Sequence, residues 1–200
     1  MERRLGREYY YTQRFKINTI YDKYYAYLYA RNLDISIKHA VGIFAALSPN
    51  NDEDSNYADL ETVLRDTNPT TSAYPSNLSK ALRILHGENP LSVITGQKTR
   101  AFYLNTVNPY HTDLPVTIDG HMIGAFLGRR IKMRSREASL SKSGYSYIRQ
   151  AVIEAAAIPS ISIYPPCDFQ AIIWLTWKRM NNVRYTPQLR LFDRHEMRQS

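Results

Sequence analysis

The chain has 200 residues, with 26 Lys and Arg against 18 Asp and Glu and a formal net charge of +8. Hydrophobic residues make up 44% and charged residues 22%, the balance of a globular chain and not of a disordered one. The single cysteine, Cys167, excludes an internal disulfide framework and a four-cysteine metal site within one chain, and no apolar run approaches the roughly 20 residues of a membrane helix. The start, Met1 to Arg7, is charged and leads into tyrosines, unlike a signal peptide. A soluble, cytoplasmic, monomeric protein is expected, as one large domain or two lobes sharing a core.

The periodicity is helical nearly throughout. Tyr9, Tyr10 and Tyr11 are expected to pack or to be loose, within a loose start over 1–14. Residues 15–31 place Ile17, Ile20, Tyr24, Tyr27 and Leu28 along one stripe. Residues 36–47 end in the apolar run Ile43 to Leu47, a buried helix stopped by Pro49. Residues 55–66 carry Tyr57, Leu60, Val63 and Leu64 at helical spacing, and Pro69 breaks the chain. Ser76 reads as the N-cap of a helix through Leu85, stopped by Gly87. A helix over 97–107 would bury Ala101, Leu104 and Val107. The segment 114–118 is β-favouring and closed by Asp119. A helix over 119–127 presents Met122, Ile123 and Phe126, and one over 143–157 aligns Tyr145, Ile148, Val152 and Ala155. Pro165 and Pro166 open a last helix whose face is Phe169, Ile172, Ile173, Thr176 and Trp177. The polar tail over 187–200 is expected to be loose.

The charge is unevenly placed. Residues 50–68 hold six acids and one base, whereas 120–150 hold seven bases and one acid, Glu137. The dense segment Arg129, Arg130, Lys132, Arg134 and Arg136 can contact several phosphates, or be a solvated loop. His39, His86, His111 and His195 lack metal-ligand spacing, so no metal and no cofactor are expected. His121 is expected to pack or hydrogen-bond within its helix.

Three segments carry the chemistry: Leu47-Ser48-Pro49-Asn50-Asn51, Gly96-Gln97-Lys98, and Val116-Thr117-Ile118-Asp119-Gly120-His121. Lys98 opens a helix, where the positive end of the dipole disfavours an ammonium; a neutral amine is a nucleophile toward an anomeric carbon. Asp119 stands at an extended-to-helix junction, where a carboxylate can stabilise positive charge on a sugar or take a proton. Each also has a plainer reading: Asp119 as an N-cap, Lys98 as a surface lysine or phosphate contact, Asn50 and Asn51 as turn formers, and Gln97 as an ordinary exposed residue at a helix start.

A Gly-x-Lys at the mouth of a helix, followed 21 residues after the lysine by the aspartate of Val-x-Ile-Asp-x-His, resembles the helix-hairpin-helix DNA glycosylase superfamily. The match spans about 40–180, and the segment Gln170 to Trp174 resembles late helices of divergent phage-type members. The resemblance implies a single all-α domain over 1–200, with two interleaved helical lobes and a cleft between them. It implies DNA as partner, either double-stranded with a base flipped from the stack or single-stranded, with Lys98 as nucleophile through a Schiff base with AP-lyase activity, and Asp119 assisting. Asn50 and Asn51 would approach the gap left by the base, Gly96 the phosphates, Gln97 a base or a phosphate, and Arg129, Arg130, Lys132 and Arg134 the strand.

Ile94 replaces the earlier of the superfamily's two hairpin glycines. The acids Asp52, Glu53 and Asp54 are expected to turn away, pair with bases or bind a cation. Two alternatives accompany the glycosylase reading: a base-hypermodifying enzyme on the same scaffold, and a non-catalytic DNA-binding module.

Overall fold

A computed structural model describes residues 2–109, 115–132, 135–159 and 163–183. Among them the protein is all-α: α1 Glu2–Ala30, α2 Ile37–Leu47, α3 Glu53–Arg65, α4 Pro75–Leu85, α5 Pro90–Val93, α6 Gln97–Val107, α7 Gly120–Leu127, α8 Lys142–Ala156 and α9 Pro166–Met180, with a 3-10 turn over Arg136–Ala138. No strand occurs among the described residues, and no helix there is long and apolar enough to cross a membrane. The β-favouring stretch is irregular backbone over 115–119; Leu114 lies outside the described residues, as does the tail over 187–200. The chain divides into two compact units, one of residues 13–117 and one of residues 1–12 with 118–200.

The 13–117 unit is built around α2. Ser36 caps this helix, and His39 Nδ1 accepts the Ser36 backbone N–H at 3.1 Å, closing a capping box. Every residue from Ala40 to Leu47 is buried, so α2 is apolar all round and takes the central position. It packs on α3, α4, α5 and α6. Phe44 is 1% exposed and meets Tyr57 of α3 and Phe102 of α6, at centroid distances of 4.7 and 6.0 Å. Ile17, Tyr21 and Leu28 of α1 join the same core. Tyr27, expected on that stripe, is 43% exposed, and Tyr21 takes its place with its hydroxyl donating to the Ile35 carbonyl at 2.5 Å.

The N-cap expected at Ser76 is instead at Tyr74. Pro75 occupies the first turn, where its missing N–H costs nothing, and Ser76 follows it inside the helix. Helix α5 has four residues, too few for a periodic signature. It lies close on α2 because Gly42 has no Cβ; one added there would sit 2.7 Å from the Pro90 ring.

In the other unit, α9 packs on α7 and α8. The start of α1 belongs here and is ordered helix, contrary to the loose start expected over 1–14. Gly6 lies against Ile172, so close that an added Cβ would stand 2.3 Å from its Cγ1. The Tyr10 hydroxyl donates to Gln170 Oε1 at 2.7 Å, and both residues are buried. This pair changes the face expected for α9. The buried positions are Cys167, Gln170, Ala171 and Leu175, where Gln170 and Ala171 lie one turn after Cys167 and Leu175 one turn after Ala171.

Candidate active site around Asp119

Asp119 is the N-cap of α7, with extended backbone at φ −118° and ψ −176°. Its Oδ1 accepts the Met122 backbone N–H at 2.9 Å, which satisfies one first-turn donor. Its Oδ2 accepts the indole Nε1–H of Trp174, on α9, also at 2.9 Å. One donor on each oxygen fixes the plane of the carboxylate. Of its roughly four lone-pair positions, two remain for a further donor or charge.

Trp174 is itself held on several sides. Tyr9 lies 5.3 Å from its ring centroid and His121 6.2 Å away, the latter edge to face. The Lys178 ammonium stands 4.1 Å from the same ring. His121 thus packs, one of the two roles its position suggested. The irregular approach to Asp119 is also tied down: the Ile118 N–H donates to the Tyr145 hydroxyl at 3.2 Å, and burial pushes that phenol above its ordinary pKa. Asp119, His121, Trp174, Tyr9, Lys178 and Tyr145 all belong to one unit.

Lys98 lies in the 13–117 unit, half-buried in the first turn of α6. The turn before it runs from Ile94 through Gly96, at φ −87° and −71°, so neither position uses a left-handed backbone. Ile94 therefore fits, and its side chain enters the α2 core. Gly96 caps α6 without a side-chain acceptor, whereas α3, α7 and α8 are capped by the side chains of Asp52, Asp119 and Ser141. A Cβ on Gly96 would meet only Thr99 Oγ1, at 3.8 Å, so internal packing does not require glycine there. Gln97 is exposed, and Arg100 ties α6 to α5 through the Leu91 carbonyl at 3.0 Å.

Asn50 and Asn51 form a turn. The Asn51 N–H donates to the Ser48 carbonyl at 3.2 Å, with Pro49 and Asn50 between them and Asn50 left-handed at φ +61°. Asn50 stays exposed at the tip. Asn51 turns inward, its Nδ2 donating to Asp59 Oδ2 at 2.8 Å. Asp59 is 5% exposed and also accepts Ser72 N–H and Oγ–H, each at 2.8 Å, and Ala73 N–H at 3.1 Å. These bonds anchor the α3–α4 connection.

The neighbouring acids have partners too. Asp52 accepts Ser55 N–H at 3.0 Å and Ser55 Oγ–H at 2.6 Å, bonds that hold its carboxyl below the usual range. Glu53 accepts Gln13 Nε2–H at 3.1 Å, with the Lys16 ammonium 3.7 Å away.

In the basic segment, Arg129 grips Glu137 with two nitrogens, at 2.7 and 3.3 Å. Arg130 and Lys132 are exposed; Arg134 lies outside the described residues. Among the described residues no three His, Cys, Asp or Glu side chains gather as a metal site.

Tyr9, Tyr145 and Lys178 carry no signal in the sequence as site residues. Trp174 reads there only as part of a helix, because nothing local signals an indole that meets a carboxylate 55 positions away.

Residues 22–181 match the model of a family of unknown function, DUF7178. No curated protein and no solved structure matches the chain.

Proposed function

We propose, for a chain that belongs to this family of unknown function, a DNA glycosylase-like activity on a flipped, modified or damaged base. In this reading the two units are the lobes of a helix-hairpin-helix glycosylase-like fold. The observation that carries it is the Asp119 carboxylate, held by Met122 N–H and Trp174 Nε1–H, each at 2.9 Å, with lone pairs to spare. A fixed carboxylate at the reacting centre stabilises the positive charge that develops on the sugar as the base departs, with no reorganisation at that moment. Ordinary helix caps need only the backbone donor; the second donor from α9 is what a cap does not require.

Lys98 is the nucleophile of this proposal. Its Nζ bonds to C1′ while the glycosidic C–N bond breaks, and the base leaves with the bonding electrons. The amine's proton passes to the base or to water, and ring opening gives the Schiff base from which the strand is cleaved. Gly96 supports the same reading, since a cap without an acceptor leaves α6 first-turn N–H groups for a phosphate oxygen. Arg130 and Lys132, exposed after α7, would hold the strand.

A screen of modified-base oligonucleotides, read by mass spectrometry, tests the proposal. Free base is the expected product, released at least a hundredfold more slowly by Asp119→Asn, on the order of one lost electrostatic contact. An altered base still joined to its sugar would assign the chain to base modification. Salt-sensitive binding with no product from any substrate would leave a DNA-binding module.

A further inference from the structure

We propose that the exposed pair Phe126 and Tyr147 is a stacking platform for unpaired bases, with the cations that follow α7 holding the phosphates of the same strand. Phe126 lies in the last turn of α7 and Tyr147 in the middle of α8. Their rings meet edge to face, with centroids 5.9 Å apart and planes at 84°. Phe126 is 44% exposed and Tyr147 70%, and Leu127, next along the chain, is 46% exposed. All belong to one unit.

The surroundings specify the partner. Left-handed Gly128 caps α7 and leads directly into Arg129, Arg130, Ile131 and Lys132. Glu137 is the only acid between 120 and 150, and Arg129 holds it. Arg130 and Lys132 are exposed, with no ion-pair partner among the described residues, and α8 adds exposed Lys142 and Arg149. A polynucleotide strand supplies phosphates for the cations and π-faces for the rings. A duplex supplies the phosphates, but its bases already stack on each other and leave the rings unused. An acidic peptide likewise answers only the cations. The partner is therefore an unpaired strand, and its being DNA rests on the reading above.

Fluorescence anisotropy of the full chain on labelled oligo-dT of about fifteen nucleotides, over a salt series, tests this. Phe126→Ala and Tyr147→Ala are each expected to weaken binding about tenfold with the salt slope unchanged, and Tyr147→Phe, which keeps the ring, to bind as the parent does. Arg130→Ala and Lys132→Ala should each lower the slope of log K on log salt by about 0.7. A blunt duplex should bind more weakly and ignore both ring substitutions. Alanine variants that bind oligo-dT like the parent overturn the platform. So does self-association of the parent, seen by sedimentation, that the same alanines abolish. Base release by the same preparations keeps the two readings apart: ring-dependent binding without release upholds the platform and overturns the glycosylase.

Discussion

At the scale of single residues, Trp174 supplies the second donor that orients the Asp119 carboxylate. Trp174→Phe keeps a ring between Tyr9 and His121 but removes the N–H that Oδ2 accepts at 2.9 Å. With one donor left, the carboxylate can rotate about its bond to Cβ. Steady-state kinetics on a releasable base should show kcat falling about a hundredfold with KM little changed, since small misplacements of a reacting group carry costs of that order. A purely structural tryptophan would lower stability and leave that split alone. Cys167, nearby in sequence, is inert by contrast: burial chiefly, and then the Asp168 carboxylate, push its thiol up to about 12. A thiol-reactive chromophore should label the native chain slowly and the urea-unfolded chain at once, one equivalent per chain. Rapid labelling of the native chain would contradict this burial.

At the scale of elements, most helices were legible because their burial is local and periodic; α2 is the clearest case, an unbroken apolar run with a cap before it and a proline after. The start of α1 was not legible. Tyr9 to Tyr11 carry no stripe of their own, and they are ordered by α9, through Gly6 on Ile172 and Tyr10 on Gln170. The polar Gln170 misled for the same reason, since its place in the buried stripe depends on a hydroxyl 160 positions earlier. The α2 cap has a pH dependence of its own. His39 Nδ1 accepts the Ser36 N–H only as neutral imidazole, and burial lowers its pKa from the ordinary 6.5. As pH falls the unfolded chain takes up that proton first. The contribution is whole above pH 6.5 and is lost as pH drops from there towards the lowered folded value. His39→Gln keeps an N3 acceptor without the titration. Thermal melts between pH 7 and 5 should therefore show a steeper loss of Tm in the parent than in the variant, and parallel curves would remove the imidazole from the cap.

At the scale of the whole molecule, the excess of +8 has an address. The acids of 50–68 are taken up within their own unit, Asp52 as a cap, Asp59 as a loop anchor and Glu53 beside Lys16. Exposed Arg130 and Lys132 follow α7, whose last turn carries the exposed Phe126 ring. Composition could show the imbalance, but only the fold shows which charges are already neutralised. The candidate site was legible in the same partial way. Lys98 and Asp119 stand out at helix starts, whereas the donors that orient Asp119 are assembled by tertiary packing. Whether Lys98 attacks the sugar of DNA, as proposed, is decided by borohydride trapping. The parent chain incubated with an oligonucleotide carrying an abasic site or a releasable base, then reduced, should give one covalent adduct that Lys98→Ala abolishes. An adduct that persists in Lys98→Ala, or none from the parent on any such strand, would contradict it.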